Sequence, residues 1–308
     1  GQIGAPYLTD ENVEKEKGII AQEIMMYDDD PDWKGFSTFL GAMYHLNPVR
    51  IDIAGSVESI SHITKEMLYQ CYNSFYQPSN LSLFIVGDVD PTGTIDWLNS
   101  FANELSFPSP SKVTKVSLKE PDGVKEERTS IKMSVSLPQL YLGYKVNDSY
   151  MCGKDLLRTY MVSQMLMELF IGKGSKLYES LYADGIIDGS FDWQSEVEKK
   201  FSFLLMAGRT TDVDELERRL TEGVDDLLEN GVDREDFDRV KRQIMGAFIR
   251  GFNSLEYITY NFLSYKLRGV SLLNSLEVAN SISAEEVDAF AREVMREDRK
   301  VVSTVMPA

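Results

Sequence analysis

The chain has 308 residues, 43% of them hydrophobic and 26% charged, a length beyond one typical domain and a composition of a folded globular protein. Its 32 basic and 49 acidic side chains leave a net charge of −17, which repels phosphate backbones and anionic membrane surfaces, so nucleic acid and membrane are excluded as expected partners. Two cysteines, Cys71 and Cys152, are too few for a disulfide framework, and no apolar run reaches the ~18 residues of a membrane span; a reducing, cytoplasmic compartment is the expectation.

Residues 1 to 9 read as a loop, with Thr9 or Asp10 able to cap a helix that follows. Over residues 13 to 27 the apolar side chains Val13, Ile20, Ile24 and Tyr27 form one helical stripe. Glu14 sits beside it, and its helical neighbours are Lys17, Gly18 and Ala21, the last two small enough to let another element approach. That carboxylate has two readings: presented to a buried site, or exposed in an acidic first turn favoured by the helix dipole. Asp28, Asp29, Asp30 and Asp32 crowd the next turn, but calcium loops need spaced ligands, a central glycine and a distal glutamate. Asp30 as N-cap with Pro31 at the first helical position accounts for them.

Helices are expected over 32–44, 54–60, 64–76 and 91–107, with a strand at 81–86, where a short apolar run lies between Asn80 and Gly87. Pro108, Ser109, Pro110 and Ser111 begin a stretch with neither period, which divides the chain into units 1–110 and 130–308 with a linker at 111–129. Beyond it, Ile131 to Leu137 and Leu140 to Val146 alternate as strands do. Residues 154–171 form a helix apolar on most sides, a short helix is expected at 175–183, and strands at 188–195 and 200–208 follow. Helices near 212–229, 233–250, 254–267 and 284–296 precede a closing strand at 300–305.

The end of the chain echoes its beginning. At an offset of 219, Ile63, Thr64 and Glu66 answer Ile282, Ser283 and Glu285, and Leu83 answers Val302. At 224, Lys17 and Ile20 face Lys241 and Ile244, and Glu14 becomes Asp238. An acidic residue kept for solubility in both halves is thus a competing account of Glu14. The loop from Gly172 to Lys176 has the look of a phosphate loop but follows a helix and has Gly174-Ser175 where Lys-Ser is required; helix capping by Gly172 and Ser175 suffices.

The run Val13-Glu14-Lys15-Glu16-Lys17-Gly18-Ile19-Ile20-Ala21-Gln22-Glu23-Ile24 resembles the helix that gives the third zinc ligand in the pitrilysin family, which includes insulysin and the mitochondrial processing peptidase. The likeness continues through Asn47-Pro48, Ile53 to Ile60, Tyr76 to Asn80 and Phe84 to Val89. In this family H-x-x-E-H supplies two histidines and a general base from one helix, and a later glutamate completes the metal site. Glu14 matches that glutamate. The resemblance implies an α+β fold of two related half-domains, each an antiparallel sheet with helices packed on it, the first N-terminally truncated. The only histidines, His45 and His62, form no H-x-x-E-H, so Glu14 alone cannot hold a catalytic zinc. The chain starts at Gly1, and the family's histidine motif lies N-terminal to this helix, so a fragment lacking that part is expected, the alternative being a motif-free homologue. Zn2+ is then expected in the complete protein and none in these residues alone.

In many relatives an Arg and, seven residues on, a Tyr bind substrate and steady the tetrahedral intermediate. Aligned through Ser175-Lys176-Leu177, the Arg position falls on Tyr182 and the Tyr position on Gly189, so both are lost; a guanidinium and a phenol donate hydrogen bonds to an oxyanion, and glycine cannot take that role. The resemblance therefore implies a zinc metallopeptidase subunit acting on peptides or small proteins and paired with an Arg/Tyr-bearing homologue, as a heterodimer, or as a homodimer. A non-catalytic scaffold of the same fold is the competing reading.

Overall fold

The computed structural model describes residues 6–104, 113, 116, 118–146 and 151–308. Helix α1 (Asp10–Asp28) begins where the Thr9 hydroxyl accepts the Asn12 N–H, and it buries Val13 and Ile24. Helix α2 (Pro31–Met43) is capped by Asp30, which accepts the N–H groups of Asp32 and Trp33, so the acidic cluster is a helix start as expected. A 3-10 turn (Pro48–Arg50), α3 (Val57–Ser61), α4 (Lys65–Phe75), a second 3-10 turn (Pro78–Asn80) and α5 (Pro91–Glu104) follow.

The remainder builds one sheet with helices. Strands β1 (Arg128–Met133) and β2 (Gln139–Lys145) lead into α6 (Gly153–Ile171) and α7 (Lys176–Ala183). Then come β3 (Asp192–Val197), β4 (Ser202–Arg209), α8 (Val213–Asn230), α9 (Arg234–Gly251) and α10 (Leu255–Arg268). A 3-10 turn (Leu272–Asn274), α11 (Ser275–Ser281), α12 (Ala284–Val294), another 3-10 turn (Glu297–Arg299) and β5 (Lys300–Pro307) close the chain. The strand order is β1-β5-β2-β4-β3. All pairs are antiparallel except β1 with β5, which run parallel with Arg128 opposite Val302.

Strand alternation gives the sheet two apolar faces, and both are covered. Leu140, Leu142, Tyr144, Leu204, Met206 and Val302 pack with α6, α8 and α12 in the larger core. Tyr141, Phe203, Leu205, Val301 and Val305 pack with Phe39, Leu40, Met43 and Tyr44, so α2 is the lid of the other face. Two glycines allow this approach. A Cβ on Gly143 would lie 2.6 Å from the Phe39 ring, and one on Gly35 would lie 2.6 Å from the Tyr141 hydroxyl.

The internal repeat pairs three helices and two 3-10 turns of the first half with those near the end of the chain. Shifted by 224, α1 lands on α9, α2 on α10, and the turn at 48–50 on the turn at 272–274. Shifted by 219, α4 lands on α12 and the turn at 78–80 on that at 297–299. The caps coincide as well: the Thr64 side chain accepts from Met67 N–H and the Ser283 side chain from Glu286 N–H.

Four expectations need correction. Residues 81–86, matched by the repeat to β5, are not a strand: no neighbouring strand lies beside them among the described residues, and a lone strand has no ladder to form. The second half's sheet is mixed rather than wholly antiparallel, because β1 is brought beside β5 from far away in the chain. The helix expected from 54 starts at Val57, since Gly55 takes a φ of 74° and Ser56 caps. Strand β3 begins at Asp192 rather than 188 because the Asp188 carboxylate accepts the Ser190 N–H in a turn. Helix α11 has no counterpart in the sequence reading. The residues that open the 111–129 stretch lie mostly outside the described residues, whereas Lys125 and Glu126 donate their N–H groups to the Ala42 carbonyl at 3.0 and 2.9 Å.

Candidate functional site

Glu14 lies in the second turn of α1 with its side chain 70% exposed. Its carboxylate accepts from Lys17 Nζ at 2.6 Å, an i,i+3 pair of one helix. Lys17 also reaches the Ser61 carbonyl at 3.1 Å, so it ties α1 to the end of α3. His62, the C-cap of α3, keeps Nδ1 2.8 Å from the Glu58 carbonyl, a local bond. His45 follows α2 and gives its backbone N–H to Glu120. Among the described residues no three His, Cys, Asp or Glu side chains come together as a metal site. Zinc in a catalytic site takes three protein ligands, so this donor set does not fit the metal by itself, and no chemical step through zinc belongs to these residues alone.

Tyr182 lies on α7, 56% exposed and stacked on Tyr178 at 6.2 Å. Gly189 sits in the turn before β3 with open space around it. Gly189 carries no side-chain donor, and Tyr182 presents a phenol where the family has a guanidinium. The glycine loop is a pair of caps, as expected: Gly172 N–H returns to the Glu168 carbonyl, and the Ser175 hydroxyl accepts from Tyr178 N–H. Cys71 and Cys152 are free and exposed.

The strongest electrostatic feature went unseen in the sequence. Lys145 and Glu120 form an ion pair at 2.9 Å with side chains only 1% and 4% exposed. The Glu120 carboxylate also accepts the backbone N–H groups of His45, Leu46 and Asn47, each at 2.7 Å. Lys145 Nζ donates to the carbonyls of Pro121 and Gly123 and lies 5.0 Å from the Tyr44 ring centroid. Burial pushes the Glu120 carboxyl up, but Lys145 and the three N–H groups outweigh it and hold the group below the usual carboxylate range. In the charged state every polar group of this pair is matched, which is what a buried ion pair requires. Elsewhere, burial pushes the Tyr160 phenol up to about 12, and burial, then the neighbouring Glu198, raises the Glu196 carboxyl. The only sequence signal for the pair was a lysine on the apolar strand β2.

No helix among the described residues is long and apolar enough to cross a membrane. The model for the peptidase M16 inactive domain matches residues 62–244. The Bacillus subtilis protein named zinc protease YmfH is 39% identical over 98% of this chain, which spans 70% of that protein's length. A crystal structure of an M16-like peptidase from Alicyclobacillus acidocaldarius superposes with a TM-score of 0.95 at 34% identity, covering 99% of this chain and 73% of that one. A protease from Helicobacter pylori has the same fold, with a TM-score of 0.86 at 18% identity, covering 99% of this chain and 74% of that one. The matched domain, the zinc-protease relative and the α+β architecture agree, and the chain belongs to the M16 peptidase family.

Proposed function

We propose that the complete protein is the metal-bearing partner of a two-chain zinc peptidase acting on peptides or small proteins, in which Glu14 is the third zinc ligand. The observation that carries this reading is the free presentation of Glu14: its carboxylate is exposed and held only by Lys17 of its own helix, so turning it to a metal breaks no buried contact. In the repeat the same position of α9 is the shorter Asp238. The remaining ligands and the general base would come from a histidine motif outside these 308 residues, and these residues alone would be inactive. The family's Arg/Tyr pair is not kept, Tyr182 offering a phenol where the guanidinium stands and Gly189 no side chain, so an Arg/Tyr-bearing homologue is assigned that role; a homodimer is the alternative assembly. In this reading residues 1–110 belong to the zinc-site half, 111–129 connect, and 130–308 form the inactive half. The exposed thiols Cys71 and Cys152 favour a reducing, cytoplasmic setting.

The test is made on the full-length protein. One zinc per chain, lost in Glu14→Ala, and cleavage of an unstructured peptide only on mixing with an Arg/Tyr-bearing homologue are the expected results. Full activity from the isolated chain overturns the pairing. A full-length protein that binds no zinc and cleaves nothing in any mixture favours the scaffold reading, which the match to an inactive domain also supports.

A further inference from the structure

Three consecutive backbone N–H groups, those of His45, Leu46 and Asn47, converge on the Glu120 carboxylate at 2.7 Å each, with the Lys145 ammonium beside it at 2.9 Å. Consecutive N–H groups aimed at one point form an anion-binding concavity. This one is built without the linker. The Tyr44 hydroxyl donates to the Ser202 carbonyl at 3.0 Å, the Asn47 side-chain amide donates to the Lys200 carbonyl at 2.9 Å, and Lys145 is held in β2 opposite Phe203 of β4. Its occupant comes wholly from the linker. Among the described residues the Glu120 carboxylate meets only these four donors, and the three acceptors of Lys145 are that carboxylate and the carbonyls of Pro121 and Gly123. Downstream, Val124, Lys125 and Glu126 are anchored through their N–H groups to the Asp298 and Ala42 carbonyls, whereas no backbone hydrogen bond among the described residues holds Leu118 or Lys119 upstream.

We propose that the turn at 45–47 and Lys145 form a carboxylate-binding site, which the chain fills with its own Glu120 from a strap, residues 118–123, that lifts off and leaves the site to a free carboxylate. The contrast is with a rivet buried for good. Breaking a buried ion pair is expensive chiefly because one charge stays behind unpaired. Here lifting the strap takes away all three acceptors of Lys145 in one movement and brings water to the ammonium, so the open state keeps no buried orphan. Charge-assisted hydrogen bonds are about twice as strong as neutral ones, which makes the site select an anion over a neutral ligand. Its occupancy reaches a second place. Asn47, whose N–H the Glu120 carboxylate holds, accepts the Val49 N–H with its side chain, and the next residue, Arg50, lines a cleft of about 1080 Å³ between α1, α2 and β1. Docking of the strap thereby fixes part of that wall. The inference uses no zinc and stands apart from the peptidase reading.

The test is made on the full-length protein with acetate as the probe, against chloride at equal ionic strength. Glu120→Ala removes one methylene and the carboxylate, the shape of an acetate ion, and keeps the three N–H groups and Lys145. Expected is saturable binding of acetate to this variant: exchange of the His45, Leu46 and Asn47 amides slows about tenfold once acetate reaches ten times its dissociation constant, and the melting temperature rises. The parent, whose site is filled, should not respond at that concentration. Adding Lys145→Met to Glu120→Ala should weaken acetate binding at least about tenfold. If Glu120→Ala does not fold in chloride, the readout is recovery of folded protein on refolding in acetate. The parent gives an independent measurement: its 45–47 amides should exchange at least about tenfold faster than those of β2 and β5, through lifting of the strap rather than global unfolding. No acetate response in Glu120→Ala by either readout, an undiminished response in the double variant, or 45–47 amides that exchange only together with β5 overturns the proposal. A full-length protein without zinc leaves all of these results as they are, so the two readings fail separately.

Discussion

Lys17 Nζ donates to the Ser61 carbonyl at 3.1 Å, and its repeat partner Lys241 donates to the Asn280 carbonyl at 2.7 Å, the same bond made twice at the two offsets of the repeat. In each half one lysine ties the long helix to the short one before the next cap. The two differ in their surroundings. Lys241 also reaches the Ile282 carbonyl at 2.8 Å and lies 5.5 Å from the Phe237 ring centroid, whereas Lys17 spends its second bond on Glu14. Lys241→Met should cost about 2 kcal/mol, since charged hydrogen bonds contribute roughly 1.5–3 kcal/mol and two carbonyls lose their donor. Lys17→Met should cost under about 1 kcal/mol, because its ion-pair partner Glu14 is 70% exposed and turns to water when the ammonium is gone. Urea unfolding of the two variants checks the order.

The pair of Glu120 and Lys145 sets a pH limit. The folded Glu120 carboxyl titrates below its unfolded value of about 4.3, so the stabilisation is complete above that pH and is lost as pH falls through the folded value. Glu120→Gln leaves Lys145 buried without its counter-charge and should cost about 3–5 kcal/mol at pH 7. The gap between variant and parent should narrow below about pH 4. A gap that is constant from pH 7 to 3 contradicts the assignment.

At Gly35 two effects oppose each other. Alanine is favoured over glycine inside a helix by about 1 kcal/mol. The added methyl, however, meets the Tyr141 ring on the sheet, and overpacking a close contact costs roughly 1–3 kcal/mol. Gly35→Ala should therefore be neutral to destabilising by about 2 kcal/mol. Gly143→Ala has no helical gain to offset its clash with Phe39 and the Leu204 carbonyl, and should be the worse of the two. Thermal melts of both variants give the comparison.

What the sequence could show was whatever repeats locally. Caps such as Asp30 with Pro31 and Ser175, the alternation of Leu140, Leu142 and Tyr144, and the offsets of 219 and 224 are carried by residues near one another or by matched types, and they are realised in the helices, turns and caps, though not in the strand expected at 81–86. The M16 membership followed from the run around Glu14. The packing of α2 across the sheet was not legible, since Phe39 and Phe203 are far apart in the chain and meet only when the sheet exists. Glu120 reads as one more acid in a charged connector until Lys145 and three N–H groups surround it. The segment 81–86 shows the converse: its pattern is that of a strand, and the pairing that makes a strand is not a local property.

Tyr182 and Gly189 can be rebuilt. Tyr182 is on the exposed side of α7, and nothing lies within 4 Å of a Cβ placed on Gly189, whose φ is not in the left-handed region. Tyr182→Arg with Gly189→Tyr should change stability by less than about 0.5 kcal/mol, as exposed substitutions usually do. If the pairing model holds, the full-length double variant with zinc should gain peptide cleavage without a second chain. Zinc bound but no gain, in a variant that folds, means that these two positions do not face the metal.

The repeat also sets up a matched pair of substitutions at Leu83 and Val302, which answer each other at the offset of 219. Val302 is 2% exposed in β5, between β1 and β2, and Leu83 is 68% exposed in a segment without a strand partner among the described residues. Truncating Val302 to Ala removes two buried methyl groups' worth of contact and leaves a cavity, at about 2 kcal/mol. Truncating Leu83 to Ala in this chain removes a solvated side chain and should cost less than about 0.5 kcal/mol. Phe84 is the exception in that segment, because it stacks on Phe262 of α10 at 4.5 Å, so Phe84→Ala should cost about 1 kcal/mol. Hydrogen exchange gives the independent measure: amides of 81–86 should exchange with little protection, and those of β5 only with global unfolding. In the full-length protein, if its further residues supply a neighbouring strand, Leu83→Ala should become as costly as Val302→Ala and the 81–86 amides should slow. An unchanged response at Leu83 there would mean that the two halves share helices and caps but not the sheet that β5 joins.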